Sequence, residues 1–583
     1  MAQQRATGTR RVWVPAAVLG LFALVILARL IQLQILQHDA YAAQAKAELQ
    51  GQDVISARRG SILDRNGNVL AVSVDTWDVY VNRRAWEVEA DAKRSSEMLG
   101  PLLKEGPAAL RDRVARLEGV EVPVARDLAY EAGVEVAKAN LPGVVLHRNT
   151  ARVNPEGDTG ASVLGIIGTD NEGLAGIEAA YDATLEGKPG RAVYERDTTG
   201  DQIPFGQRLT QQPEPGKDLV LTVDRYLQKL SEDLLARAIQ THRAESGDII
   251  IMDPRSGEIL AMATWPALKY STFAQLDLAK KEDLRLLSNG AVTQLYEPGS
   301  VMKVVTAASA IDAGAVTPNT TYYDSGVTDV YGIPIKNWDD RSYGTQTMTG
   351  VLVDSINTGA IFMMQAMEKK SPGSFQKYLE AFGFGKESGV DLQGEATAIF
   401  RRPDDPGYSP VDMATQAFGQ SISVTPLQML SAFAAAINGG RLMQPHIVKS
   451  ITAPDGSSTD IQPKVLGQPI SAETSARVRQ MLNAVVDTPG RFHPGNPKNY
   501  LAGGKSGTAN VPVGGSYNDT QIASFIGFAP LDSPQIVVMV KLDKNADGKT
   551  GAAAAAPWVA QILDNALQYM NVPPKSAKTA SAP

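Results

Sequence analysis

The 583-residue sequence contains no cysteine and only five histidines. That excludes disulfide staples, thiol nucleophiles and thiolate-held zinc or iron–sulfur centres, and it turns the search for a nucleophile to Ser, Thr or Lys. Positive charge is not in excess either: 56 Lys and Arg stand against 63 Asp and Glu, a net of −7. Wholesale nucleic-acid binding needs a basic face to neutralise phosphates, so it is disfavoured. No internal repeat is evident. The composition, 43% apolar and 20% charged, is that of a folded globular chain, and its length exceeds what a single hydrophobic core serves.

Long hydrophobic runs are scarce as well, and the sequence holds one. Val12 to Ala28 carries no charge, and Leu30 to Leu36 continues it, which gives the roughly 20 residues needed to cross a bilayer core at 1.5 Å per residue. Arg5, Arg10, Arg11 and Arg29 are the only charges before Asp39. By the positive-inside rule residues 1–11 are expected in the cytoplasm, 12–36 as a single transmembrane anchor, and everything beyond outside. A cleaved signal peptide is the competing reading; the run exceeds an ordinary h-region of about 7–15 residues, and no small-residue cleavage site follows closely. The Ala552 to Ala556 tract is too short to be a second span.

Beyond the anchor, the Ala- and Gln-rich stretch 39–52 reads as a helix, and Arg58 to Ser73 as strands joined through Asn66-Gly67. Residues 85–139 have helical spacing, and 143–200 read as short strands with one helix. The polar, Pro- and Gly-rich stretch 204–218 reads as a boundary. After it the pattern predicts a strand over 218–223, a helix over Arg225 to His242, paired strands over 247–253 and 258–264, a mostly helical centre, two more strands within 520–543, and a last helix from about 552 to 570. This gives a pedestal over 37–215, an α/β domain over 216–570 whose sheet closes late in the chain, and a polar, disordered tail over 571–583.

Three short motifs concentrate the chemistry. In YEPGSVMKVV, Ser300 and Lys303 stand three residues apart, one turn on a helix face, so an amine can approach a hydroxyl that is a poor nucleophile alone. Pro298-Gly299 reads as the break that places Ser300 in the first turn, where free N–H groups favour developing negative charge. By itself this spacing also fits an exposed helix face. In DSINTGA, Ser355 and Asn357 offer a hydroxyl and an amide, a pair that equally suits a turn or cap. In AGGKSGTANV, the small residues suit a strand along which a ligand lies, with Lys505, Ser506 and Thr508 supplying a cation and hydroxyls for a carboxylate. A phosphate loop ending in GKS requires Gly at position 499, which is Asn499, so that reading is rejected.

In the order Ser-x-x-Lys, Ser-x-Asn, Lys-Ser-Gly-Thr the set resembles the penicillin-binding and serine β-lactamase superfamily. RRGSILDRNGNVLA, GIEAAYDATLEGKPG, LTVDRYLQ and FGQSISVTPLQM extend the resemblance to class B penicillin-binding proteins over nearly the whole chain. The resemblance implies an α+β protein with one membrane anchor, an elongated pedestal of dimerisation type, and a transpeptidase domain built on an antiparallel sheet flanked by helices. It implies a D,D-transpeptidase that cross-links peptidoglycan stem peptides through an acyl-enzyme on Ser300 and is acylated by β-lactams. Lys303 would take the Ser300 proton. Ser355, helped by Lys303 and Lys505, would pass a proton to the departing D-alanine. Asn357 would hold the donor's amide; Ser506, Gly507 and Thr508 would line the carboxylate site, with the N–H groups of Ser300 and Thr508 as oxyanion hole. No metal or organic cofactor is implied, and Ser506 stands where Thr is commoner.

Several alternatives are weighed against this. A β-lactamase of the best-known type needs Glu followed four residues on by Asn; Glu368, Glu380, Glu387, Glu395 and Glu473 are followed by Pro372, Phe384, Asp391, Ile399 and Arg477. A β-lactam-sensing receptor usually has several spans, and a bifunctional class A enzyme needs glycosyltransferase motifs that 50–215 lack. A scaffold that activates a SEDS-family glycosyltransferase remains compatible, since class B enzymes generally pair with one. EPGS, NWDD (Asn337 to Asp340) and SINTGA resemble division-type members more than elongation-type ones, where PPGS is usual. His38 and His147 lie outside the catalytic domain, and His242, His446 and His493 are expected at the surface or in loops.

Overall fold

A computed structural model describes residues 6–42, 50–195, 208–513 and 516–575. Residues 1–5 of the expected cytoplasmic tail, 43–49 of the expected juxtamembrane helix and 576–583 of the expected terminal tail lie outside the described residues. The chain divides into two compact units: Met1–Arg58, Asp75–Thr150 and Lys188–Glu214 form one; Arg59–Val74, Ala151–Gly187 and Pro215–Pro583 form the other.

The first unit begins with helix α1 (Ala6–Ile31), which continues as one wide turn over Gln32–Leu36. Trp13–Leu36 has a mean hydropathy of 2.5 with none of it buried, and it is the one helix among the described residues long and apolar enough to cross a membrane. Residues 50–52, expected as the end of a helix, instead open a strand, Gln50–Ile55, which pairs antiparallel with Gly190–Glu195; that strand also pairs with Arg208–Gln211, inside the stretch expected as a linker. The expected helical run 85–139 is interrupted. Helices Glu89–Leu102, Pro107–Arg116 and Tyr130–Ala139 flank a strand, Glu121–Ala129. There Val122 and Val124 alternate with exposed neighbours, and this period of two overrides the charged, helix-like composition. Val79, Val81, Leu99, Leu110, Val122 and Val136 form this unit's core.

The second unit is organised by a five-stranded antiparallel sheet. Helix α2 (Arg225–His242) is capped by Asp224, whose carboxylate accepts the N–H groups of Tyr226 and Leu227, and leads into β1 (Ser246–Met252) and β2 (Ile259–Trp265). Then come α3 (Met302–Asp312), α4 (Asn357–Lys370), α5 (Pro426–Ile437) and α6 (Ala472–Val486). The chain returns through β3 (Gly503–Val513), β4 (Ser516–Ala529) and β5 (Ile536–Asp543) to α7 (Ala556–Tyr569). The strand order is β2-β1-β5-β4-β3. β5 is buried along its whole length, an apolar run over 536–540 followed by a buried Lys541 that pairs with Asp248 and Asp543, because helices cover both faces of the sheet. α2 and α7 pack on the sheet and on each other, while α3 packs against α4, α5 and α6, and α5 against β5. Every residue of α5 is buried, and a capping box of Thr425 and Gln428 starts it, so the helical layer is held from its centre.

A buried ionic cluster joins the two shorter segments of this unit. The Glu178 carboxylate accepts Arg59 Nε at 2.6 Å and Arg152 Nε at 2.7 Å, and Arg59 Nη1 reaches Asp182 at 2.7 Å. Gly67 supplies the positive φ of the turn between Ile62–Leu63 and the strand that begins at Val69.

Candidate active site

The three motifs meet at the face of β3. Ser300 lies not in the first turn of α3, as the sequence suggests, but in a tighter 3-10 turn, Gly299–Val301, that leads into it. The reason is tertiary. Gly299 adopts φ +55, and a Cβ there would stand 2.7 Å from the Thr508 carbonyl oxygen; a Cβ on Gly419 would stand 2.1 Å from the Gly299 carbonyl oxygen, and one on Gly507 2.6 Å from the Pro298 carbonyl oxygen. Three glycines from three segments thus let backbone meet backbone around the serine. The preceding Glu297 accepts the N–H of Ser421 at 2.9 Å, which fixes the entry to the turn.

Lys303 follows one turn on and is completely buried. Its Nζ donates to the Ser355 carbonyl oxygen, to Asn357 Oδ1 at 2.8 Å and to Ser355 Oγ at 3.4 Å. From the opposite side Lys505 Nζ donates to Ser355 Oγ at 3.0 Å and to the Ser506 carbonyl oxygen at 3.2 Å. Two lysines therefore converge on one hydroxyl. Burial, and then the neighbouring Lys505, push the Lys303 ammonium well below its ordinary pKa, and burial pushes Lys505 down to about 7. Both shifts favour an unprotonated amine at the site, because burial disfavours the charged form and Lys505 disfavours a second cation beside it.

Along β3 the alternation of the strand sends Lys505 and Gly507 to one face and Ser506 and Thr508 to the other. The Thr508 hydroxyl accepts the N–H of Gly551 at 3.0 Å, which leaves its own proton free to donate. All eight residues singled out from the sequence, Ser300, Lys303, Ser355, Asn357, Lys505, Ser506, Gly507 and Thr508, belong to this one region or to the strand that bounds it.

Other residues at the site were not picked out by sequence reasoning. Arg491 pairs with Asp354, next to Ser355, at 2.8 Å. His493, in the loop before β3, packs against the Phe525 ring at 5.6 Å and accepts the Gly495 N–H on Nδ1 at 3.0 Å; burial and then Lys505 depress its pKa to about 4. His242 and His446, expected at the surface or in loops, are instead buried, His242 against Asp547 at 2.8 Å. Asn337, noted only as part of NWDD, is buried beside Asn357. Pairings of this kind leave no periodic trace in a sequence.

Comparison with known proteins gives a consistent picture. Residues 247–564 match the family model of the penicillin binding protein transpeptidase domain, and residues 54–221 that of the penicillin-binding protein dimerisation domain. Stage V sporulation protein D of Bacillus subtilis is 33% identical over 560 residues, covering 95% of this chain and 84% of that protein. The peptidoglycan D,D-transpeptidase FtsI of Escherichia coli is 29% identical over 563 residues, covering 95% and 91%. The crystal structure of penicillin binding protein 2X from Streptococcus thermophilus superposes with a TM-score of 0.76 at 25% identity, covering 89% of this chain and 80% of that one.

Proposed function

The chain belongs to the class B penicillin-binding proteins, which join a dimerisation-type domain to a transpeptidase domain, and from that premise we propose a role for each residue of the site. The protein is a peptidoglycan D,D-transpeptidase, of a family that acts on stem peptides and is acylated by β-lactams. In the proposed reaction neutral Lys303 takes the Ser300 proton as Oγ attacks the carbonyl between the two terminal D-alanines. The N–H groups of Ser300 and Thr508 receive the oxyanion, the interaction that contributes most to such acyl transfers. Ser355, fed by Lys303 and Lys505, protonates the leaving D-alanine. Asn357 orients the donor's amide, and Ser506, Gly507 and Thr508 bind the terminal carboxylate. An acceptor amine then attacks the ester and releases Ser300. The observation that carries this reading is the convergence of Lys303 and Lys505 on Ser355 Oγ.

The division into cytoplasmic tail (1–11), anchor (12–36), pedestal (37–215) and transpeptidase domain (216–570) is part of the proposal, as is membrane anchoring with the N-terminus inside; the apolar Trp13–Leu36 helix and the arginines before it support both. EPGS, NWDD and SINTGA support a septal role in cell division, with a SEDS-family glycosyltransferase and other divisome membrane proteins as partners. The elongation-type role and the scaffold role are the alternatives. Labelling with a fluorescent penicillin tests the chemistry: wild type labels and Ser300→Ala does not. If Ser300→Ala also sustains growth, the scaffold role prevails. A fluorescent fusion tests the setting, for which midcell localisation is expected and uniform side-wall labelling would reverse the septal assignment.

A further inference from the structure

Helix α4 begins two residues after Ser355, and this creates a capping problem. The first N–H groups of a helix lack intrahelical partners and are ordinarily met by a polar side chain at the N-cap. Here the N-cap is Ile356, which has none, while Thr358 in the first turn is 3% exposed. The acceptor comes from another part of the chain. Asn337 Oδ1 receives the N–H of Asn357 at 3.1 Å and that of Thr358 at 3.2 Å. Asn337 is itself 3% exposed, and its Nδ2 donates to Asp324 Oδ2 and to the Arg341 carbonyl oxygen, both at 2.9 Å. Reversing the amide would break all four bonds, so its orientation is fixed. Asp324 completes the bracket by accepting the Thr358 hydroxyl at 2.6 Å and the N–H of Tyr343 at 2.8 Å.

The bracket reaches the reacting groups through Asn357. The Asn357 side chain is stretched between Lys303 Nζ on Oδ1 and the Lys336 carbonyl oxygen, 3.1 Å from Nδ2. Ser355 has φ +59, a conformation that a non-glycine residue keeps only when its surroundings over-determine it. The Asp354–Arg491 pair holds one side of it and Asn337 holds the other.

We propose that Asn337, seated on Asp324, is a positioning residue for acylation: it caps α4 from outside and thereby sets where Ser355 stands and keeps Asn357 Oδ1 on Lys303. The proposal rests on the reading of Ser300 as nucleophile and Lys303 as its base.

Asn337→Ala frees the start of α4, and a slip of about 1 Å at Asn357 lowers acylation roughly 100-fold. The pH profile carries the distinguishing mark. Lys303 is faced by Lys505 on β3 and by the neutral Ser355 and Asn357 on the loop and on α4, with His493 and Arg491 beyond Lys505. Losing Asn357 Oδ1 removes an acceptor that favours the ammonium, so the acid limb of acylation moves to lower pH.

The experiment uses the full-length protein in detergent and the second-order rate of labelling by a fluorescent penicillin from about pH 5 to about pH 9. The variants are Asn337→Ala, Asn337→Asp, and Asn337→Asp combined with Asp324→Asn, with thermal unfolding followed alongside. The expected result is a folded Asn337→Ala protein with slowed acylation and a displaced acid limb. A profile that superimposes on wild type after scaling, or a rate within about threefold of it, overturns the proposal. If Asn337→Ala does not fold, the other two decide. Asn337→Asp sets two carboxylates against each other, the double variant removes one of those two charges, and acylation at least about tenfold faster in the double variant is expected; equal rates overturn it. Wild type that fails to label, or Ser300→Ala that labels, condemns the nucleophile assignment instead.

Discussion

Gly507→Ala tests how the nucleophile turn is seated. A methyl group at this position would lie 2.5 Å from Ser524 Oγ, 2.6 Å from the Pro298 carbonyl oxygen and 2.9 Å from Val301 Cγ2. The serine hydroxyl can rotate away, but the Pro298 oxygen is main chain and cannot. Restoring an ordinary carbon–oxygen contact of about 3.3 Å requires Pro298 and β3 to separate by roughly 0.7 Å, since close-packed interiors transmit such strain rather than absorb it. Ser300 is two residues from Pro298, and Thr508, proposed to supply the second oxyanion N–H, is next to Gly507. The displacement therefore opens the gap between the two N–H groups. A misplacement near 1 Å costs on the order of 100-fold in rate. The assay is the second-order rate of acylation by a fluorescent penicillin, with unfolding temperature followed in parallel. Gly467→Ala is the control, because a Cβ at Gly467 meets nothing within 4 Å, and it is expected to leave both quantities unchanged. Gly507→Ala that acylates within threefold of wild type, at an unaltered unfolding temperature, refutes the reasoning.

The lysine pair yields two more predictions. Because burial holds Lys505 near 7, its charged fraction falls about tenfold per pH unit above that value, and acylation at low β-lactam concentration falls with it; Lys505→Arg, which stays protonated, removes this alkaline limb from the profile. Lys303→Met abolishes acylation yet raises the unfolding temperature, since a fully buried amine beside a second lysine gives way to an apolar side chain of similar length, a gain of about 1 kcal/mol visible by calorimetry. Away from the site, Glu178→Ala leaves Arg59 and Arg152 buried without their shared carboxylate and is expected to cost about 3–5 kcal/mol in denaturant unfolding.

Much of the catalytic unit was legible because its elements carry local signals. An amphipathic run over Arg225 to His242 marks α2, and β1, β2 and β5 announce themselves as largely apolar runs bounded by turn residues. The site was legible because Ser300 with Lys303, Ser355 with Asn357, and Lys505 with Thr508 are each close in sequence, so three short words and their order suffice. What stayed hidden depends on the fold. The 3-10 turn at Ser300 arises from contacts with Gly419 and Thr508, more than a hundred residues away, which no local propensity encodes. Asn337 shares its oxygen with Asn357 and Thr358 across an intervening strand and short helix, and the partner of Glu121–Ala129 is a strand segment, residues 76–82, about forty to fifty residues earlier in the chain.

The strand order has a consequence for how the enzyme comes into being. β1 emerges early, but the neighbour that completes it, β5, is made much later: Ser246 and the Asp543 that hydrogen-bonds to it are 297 residues apart. At a synthesis rate of about 5–20 residues per second, the wait is roughly 15–60 s. Through that interval the apolar β1–β2 pair presents an open edge of the kind that recruits foreign strands. Lys505 arrives within the same late segment, so the nascent chain gains its reactive centre and loses its stickiest surface in nearly one event. A ribosome that stops before β5 releases a product with Ser300 present and no sheet to seat it, a substrate for proteases and chaperones rather than a weakened enzyme.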